Sequence, residues 1–452
     1  MKKIKTRNPY NGELIAEHEQ HSKKEISQIL KKAQDTFEEW RKEDISERVA
    51  LLNNLGDLLI RKKAELAQLI TKEMGKPIKQ SVAEIEKCRT VCEFYAINAD
   101  DFLSDELIET EAQESFISYD PLGCILAIMP WNFPFWQVFR FAAPTLTAGN
   151  TAILKHASNT TGCALAIQDL FIEAGYPEGC FQTVLTDHNG IEKIIENDIV
   201  KAVTLTGSEK AGRKIASIAG QNLKKTVLEL GGNNACIIWE DADLDKYIST
   251  IVNSRMLNAG QSCIAAKRFI VVEAIYEEFL QQFTKKVTTL KTGNPMDSDT
   301  DIATMARPDL AKIVQEQVNE SLIKGAKIHT GNSCNKTTYE PTIITNVKPG
   351  MPLFDEEVFG PVAAIIKVKD REASIEIATK TKFGLGTMLF TEDIDAARMQ
   401  IENIYDGSFF VNEMTKSDAR LPFGGTKISG YGRELSKEGM LAFVNEKTIY
   451  IR

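Results

Sequence analysis

Cys263 in the segment NAGQSCIAAKR follows Glu229 of VLELGGNN by 34 residues, which pairs a candidate nucleophile with a carboxylate set between leucines. A thiolate adds to carbonyl carbons, and a carboxylate can take a proton from a thiol or a water. Gly260, Ser262, Ala265 and Ala266 are small and leave room for a substrate carbon to reach the sulfur. Free cysteine is only about 3% thiolate at pH 7, so such a site must supply a base or lower the thiol pKa. Glu229 is the nearest candidate base in sequence. Its neighbours Leu228 and Leu230 imply desolvation, which raises a carboxyl pKa toward the working range.

The elements that position these groups are legible as two α/β series. The first third of the chain reads as helical: Ser22 with Glu25 forms a capping-box pattern, Ile26, Ile29, Leu30, Ala33, Phe37 and Trp40 recur on one helical face, and further helices run to about Asp100. From Cys124 short apolar runs alternate with helical segments: CILAIMPW, TAILKHA, CFQTVLT, AVTLTG and TVLELGG. Alternation of this kind implies right-handed crossovers and a parallel sheet, whose ligands bind at the carboxyl ends of the strands. The loops of interest are therefore LKHAS, TGSEKAG and LELGG. A second series begins near Ala235 with ACIIWE and continues through RFIVVEAI, PTIITNV, PVAAIIKV, TMLFTE and GSFFVN. With Glu229 near the junction of the two series, a cleft between domains is expected.

At 452 residues the chain exceeds what one core usually serves. Hydrophobic residues at 43% and charged residues at 26% place it in the soluble globular range. No apolar run is long enough to span a bilayer, and the basic start MKKIKTRN leads to polar residues, so a cytoplasmic protein without a membrane partner is expected. A net charge of -9 with scattered basic residues argues against nucleic acid as a partner. The eight cysteines include no CxxC and no Cys/His ladder, which argues against a disulfide framework and against a metal site. Cys88 and Cys92 read as small core residues, and His18 and His21 as solvated residues near a turn.

PWNFP, LKHAS, TGS, LELGGN, GQSC, EEVFGPV and PFGGTKISGYGRE occur in this order, and in this the chain resembles the NAD(P)-dependent aldehyde dehydrogenase superfamily from about Asn8 onward. The resemblance implies a Rossmann-type cofactor domain (1–117 and 132–231), an α/β catalytic domain (232–425) and a small β oligomerisation arm (118–131 and 426–452). It implies that Cys263 adds to the aldehyde to give a thiohemiacetal, that hydride leaves for the nicotinamide, and that the thioester is hydrolysed by water activated by Glu229. Relatives that pass the acyl group to coenzyme A typically lack this glutamate, so hydrolysis to a free acid is preferred. Asn132 in PWNFP resembles the side-chain half of an oxyanion hole whose other half is the Cys263 N–H, with an ordinary turn asparagine between prolines as the alternative.

By the same resemblance, Lys155 and Ser158 meet the adenosine ribose, and Thr206, Gly207 and Ser208 open a helix toward the pyrophosphate. Glu357 grips the nicotinamide ribose, and Trp131, Leu230 and Phe359 complete the cofactor surface. Gly212 can equally serve only helix packing. Ser158 stands where relatives that favour NAD commonly carry a glutamate, and a serine beside Lys155 can accept a 2'-phosphate. NADP is therefore the expected cofactor, with NAD as the weaker alternative.

KHAS, AAKRFIV and SDARLPFGG most resemble the short succinate-semialdehyde dehydrogenases. Arg140, eight residues after Asn132, falls where those enzymes place an arginine for the substrate's distal carboxylate, and Ser417 and Arg420 can complete the grip or can be surface loop residues. Leu257 stands where some relatives have a second such arginine, and Ala265 where some have a second, redox-active cysteine. A small, carboxylated aldehyde is the expected substrate. Lactaldehyde or an aminoaldehyde is the alternative, and a non-catalytic dehydrogenase-like structural protein the non-enzymatic one. The strand patterns SFISYDPLG and VNEKTIYIR imply a homodimer or homotetramer.

Overall fold

In the computed structural model, which describes residues 2–452, the first series of apolar runs forms strands Cys124–Met129, Thr151–His156, Phe181–Thr183, Val200–Thr206 and Lys225–Glu229. They lie parallel in the spatial order Lys225–Glu229, Val200–Thr206, Cys124–Met129, Thr151–His156, Phe181–Thr183. The chain winds outward in both directions from Cys124–Met129, so the carboxyl ends of that strand and of Val200–Thr206 flank a topological switch point, the usual ligand crevice of such sheets. Strands covered by helices on both faces must be apolar on both faces. Ile125, Ala127 and Leu154 accordingly pack with Ile85, Cys88 and Val91 of the helix Ile78–Leu103, while Leu126, Ile153 and Val203 pack with Leu30, Ile191 and Ile215 on the other side. The core reading of Cys88 and Cys92 agrees with their complete burial.

Only four residues, Leu230 to Asn233, separate this sheet from the next. The second sheet has the order Lys327–Thr330, Thr342–Thr345, Val362–Val368, Ala266–Val272, Asn234–Ile238, Thr387–Phe390, Phe409–Val411, parallel except at the Lys327–Thr330 edge. The short passage fixes Glu229, at the end of one sheet, beside the loop that precedes Ala266–Val272 in the other.

Three features differ from expectation. The chain opens with an antiparallel hairpin, Lys3–Arg7 with Leu14–Glu19, where helix was expected, and His18 sits in its second strand. Cys124–Met129 is a central strand of the first sheet and not part of an arm; the three-stranded arm comprises Glu106–Leu107, Glu114–Pro121 and Val444–Ile451. Gly430–Tyr431 also leaves the arm, pairing antiparallel with Leu228 and Glu229 as a sixth strand of the first sheet. Among the described residues no helix is long and apolar enough to cross a membrane, and no cluster of His, Cys, Asp and Glu could hold a metal.

Candidate active site

Cys263 lies in the turn between the helix Leu244–Met256 and the strand Ala266–Val272. The chain approaches it through three successive left-handed residues, Asn258 (φ 54°), Ala259 (φ 50°) and Gly260 (φ 70°). For a residue with a Cβ this backbone costs about 1–2 kcal/mol, so the surroundings must impose it. Arg255 does so: its Nη2 donates to the carbonyls of Gly260 and Gly360, both at 2.6 Å, and its Nη1 to that of Ala266 at 2.8 Å. Burial pulls its guanidinium down to about 9. Gln261 ties the turn to the neighbouring loop, its Oε1 accepting from the Ala306 N–H at 2.9 Å. Lys267 Nζ donates to the carbonyls of Ser262 (2.6 Å) and Cys263 (2.9 Å) and lies 3.6 Å from Glu357 Oε1. A Cβ at Gly260 would lie 2.3 Å from both Arg255 Nη2 and the Gly360 carbonyl oxygen. Gly260→Ala is therefore expected to destabilise the fold by about 2 kcal/mol or more, read as a shortened half-life of heat inactivation.

The sulfur faces a cavity of about 780 Å³, shared with Arg140, Trp136, Leu257, Ser417 and Phe423. Burial pushes the Cys263 thiol up to about 11; Arg140 and Lys267 pull it down, and Glu357 and Glu229 push it further up. The resting residue is thus a thiol that needs a base. Glu229 is 2% exposed, and neither of its carboxylate oxygens has a hydrogen-bond partner among the described residues. Burial raises its pKa well above the ordinary carboxylate range, the nearby Glu434 raises it further, and Arg140 and Arg433 oppose the shift. Arg140 is in turn held by Glu434, Nε to Oε2 at 2.6 Å, and by Thr206, whose Oγ1 accepts from Nη2 at 3.1 Å.

Asn132 donates from Nδ2 to the Gln261 carbonyl at 3.1 Å, and its own carbonyl accepts from Asn258 Nδ2 at 2.9 Å. An amide nitrogen carries two hydrogens, so one remains for a developing oxyanion. The loop that bears Asn132 is pinned on both sides. His156 Nε2 meets the Pro134 carbonyl at 2.9 Å, and Glu84, paired with the buried Lys76, accepts from the N–H groups of Phe135 and Trp136 at 2.8 and 3.0 Å.

On the other side of the nucleophile, the side chain of Lys155, next to last in its strand, has no ion pair or hydrogen bond among the described residues, and burial lowers its pKa. Ser158 is exposed beside it. Ser208 caps the helix Glu209–Gln221 by accepting from the Ala211 N–H at 3.3 Å, and Leu230 packs so closely on Gly212 that a Cβ there would lie 2.6 Å from its methyl groups. That contact supports the packing role for Gly212. The Gly207 N–H donates to the Glu229 main-chain carbonyl at 2.9 Å, which ties this loop to the strand end that bears the carboxylate. Glu357 accepts from the Gly232 N–H at 3.1 Å, and Trp131 meets Phe359 edge to face with centroids 5.8 Å apart. An unpaired cation, a helix N-terminus and a carboxylate suit phosphate and ribose groups, so these residues fit a dinucleotide.

The sequence profile of the aldehyde dehydrogenase family matches residues 1–449. The chain belongs to this family. It is 47% identical over 451 residues, covering 99% of both chains, to a probable NADP(+) succinate-semialdehyde dehydrogenase of Synechocystis, and 42% identical over 454 residues, with the same coverage, to NADP(+) succinate-semialdehyde dehydrogenase 1 of Mycobacterium tuberculosis. The succinic semialdehyde dehydrogenase of Streptococcus pyogenes, solved in complex with NADP+, superposes with a TM-score of 0.97 at 37% identity over 99% of each chain.

The substrate side of this aldehyde dehydrogenase departs from expectation at Arg420. Its guanidinium is 76% exposed, locked bidentate onto Asp418 at 2.6 and 2.8 Å, and does not line the cavity. Ser417 does line it, its Oγ accepting from Trp136 Nε1 at 3.0 Å and from Lys87 Nζ at 2.8 Å. Sequence reading missed Lys87, Arg255, Lys267, His156 and Glu434. Lys267 and Glu434 lie inside the motifs AAKRFIV and SGYGRE and could have been suspected, whereas Lys87 and Arg255 are helix residues with no local signal.

Proposed function

We propose that this dehydrogenase oxidises succinic semialdehyde to succinate with NADP. The observation that carries this reading is that Cys263 and Arg140 line one cavity while the buried carboxyl of Glu229 lies close enough to act on the thiol. The names of full-length relatives at 42–47% identity support the substrate and cofactor. In this reading Glu229 takes the Cys263 proton, directly or through water, and the thiolate adds to the aldehyde carbon. Asn132 Nδ2 and the Cys263 N–H hold the developing oxyanion, a donor of this kind being worth about 100- to 1,000-fold in rate. Lys155, Ser158, Glu357 and the start of Glu209–Gln221 hold the cofactor, whose chemistry when bound is hydride acceptance. Glu229 then takes a proton from the water that cleaves the Cys263 thioester, releasing the acid. Its raised pKa matches a base that must both accept and return protons.

Following reduced-cofactor absorbance for succinic semialdehyde and a panel of short aldehydes, each with NADP and NAD, tests the reading; equal or better kcat/KM for an uncharged aldehyde rejects the substrate, and preference for NAD rejects the cofactor. In Ser158→Glu a carboxylate would face the 2'-phosphate beside Lys155, and kcat/KM for NADP is expected to fall on the order of 100-fold while that for NAD holds.

The arm carries exposed apolar residues, Leu107, Tyr450 and Ile451, which supports self-association through the sheet of Val444–Ile451, and eight free cysteines suit a reducing cytoplasm. The two large sheets stand as the cofactor and catalytic domains.

A further inference from the structure

Five cations line the cavity, and most are already neutralised. Lys79 pairs with Asp301, Lys416 with Glu413 and Arg140 with Glu434. Lys286 has no carboxylate partner among the described residues and sits apart with Leu290 and Ile302, residues of the other sheet's flank. Lys87, from the middle of the helix Ile78–Leu103, is different in kind. Its ammonium lies 4.1 Å from the centre of the Trp136 ring and donates to Ser417 Oγ, and no carboxylate lies within 4 Å among the described residues. The two carboxylates that act on it are committed elsewhere: Glu84 to Lys76 and to the start of the helix Trp136–Thr147, and Asp418 to Arg420.

A cation withdrawn from water without a counter-ion is costly unless an anion arrives. The cost shows in Lys87 itself, whose pKa burial draws down to about 8, with Arg140 adding repulsion and Glu84 and Asp418 only partly opposing it. Ser417 completes the arrangement. A hydroxyl has two lone pairs and one hydrogen, and its oxygen already accepts from Trp136 Nε1 and Lys87 Nζ, so its hydrogen is left to donate into the cavity. An ammonium and a hydroxyl, side by side and lacking an anionic acceptor, are a carboxylate receptor.

We infer that Lys87, with Ser417, binds the distal carboxylate of the substrate, taking the part that Arg420 was expected to share and that Leu257 cannot play. The inference rests on the proposed substrate and names the residue that selects it. Arg140, expected to receive that carboxylate, is tied to Glu434 and lies near both Cys263 and Lys87, so Lys87 adds an uncommitted cation beside it.

The experiment compares Lys87→Met and Lys87→Arg with the unsubstituted enzyme on three aldehydes under saturating NADP: succinic semialdehyde, butanal and 4-trimethylammoniobutanal. Methionine keeps the apolar stem against Trp136 and removes the charge. KM for succinic semialdehyde should rise roughly 10- to 100-fold in Lys87→Met with kcat little changed, the range expected for losing a charge-assisted hydrogen bond. Butanal should stay within about twofold, the cationic aldehyde should improve, and Lys87→Arg should keep most of the preference. A control, Lys286→Met, should leave all three ratios alone. Equal losses on butanal and succinic semialdehyde, or no loss on either, would overturn the assignment. If the unsubstituted enzyme shows no preference for succinic semialdehyde over butanal, the proposed substrate fails and the role of Lys87 with it; a preference that survives Lys87→Met removes Lys87 alone.

Discussion

Cys263→Ala is expected to lower aldehyde-dependent cofactor reduction on the order of 10,000-fold or more while leaving the fold intact, because covalent catalysis ends with the sulfur and among the described residues no other cysteine lines the cavity. The replacement removes one polarisable atom from a turn whose shape is set by Arg255, Gln261 and Lys267, so far-UV circular dichroism and cofactor affinity should match the parent. Residual turnover within about tenfold of the parent would show that the reacting group lies elsewhere. The same thiol supplies a second readout. Since burial holds its pKa up at about 11, alkylation of the resting enzyme by iodoacetamide should accelerate as pH rises from 7 to 10 without a plateau near neutrality. A plateau below pH 8 would mean that the thiolate is already formed at rest.

Glu229→Gln should separate the two halves of the reaction. Steady-state turnover is expected to fall about 100- to 10,000-fold, the usual range for a general base, with a rapid burst of up to one reduced cofactor per active site before the slow phase. The burst requires that thiohemiacetal formation survive, with bulk hydroxide or buffer replacing the carboxylate, while hydrolysis of the thioester stalls. The sign of the pH effect follows from the direction of the shift. Burial and Glu434 raise the Glu229 pKa, so its basic form is gained as pH rises, and the parent's kcat should climb with pH across a limb well above the ordinary carboxylate range. In Glu229→Gln that limb should vanish. A steady state equal to the parent's would remove Glu229 from the mechanism.

Most of the strands were legible because parallel strands buried on both faces must be apolar throughout, and runs such as CILAIM and VAAIIKV leave no other reading at that length. The opening hairpin was not, because Lys3–Arg7 and Leu14–Glu19 are short, charged on their outward faces and bury little. The arm boundary failed at Cys124 for a related reason: Glu114–Pro121 and Cys124–Met129 are two strands separated by a two-residue turn, and nothing local says that they belong to different sheets. The reacting groups were legible as types in motifs. Their supports were not, since Arg255, His156 and Glu84 act on carbonyls and N–H groups that only the folded chain brings near. Arg420 shows the converse. A residue beside a recognisable motif turned outward because Asp418, two positions away, offers its guanidinium a complete bidentate partner.

The pairing of Gly430–Tyr431 with Leu228 and Glu229 means that the sheet carrying the proposed base is finished by a segment made long after Cys263. Glu434, which neutralises Arg140, arrives with it. At roughly 5–20 residues per second the thiol at position 263 is made on the order of ten seconds before the segment that completes its surroundings. A growing chain therefore passes through an interval in which the reactive sulfur exists without its finished environment, and truncated translation products should be inert toward aldehydes however well their first sheet has formed.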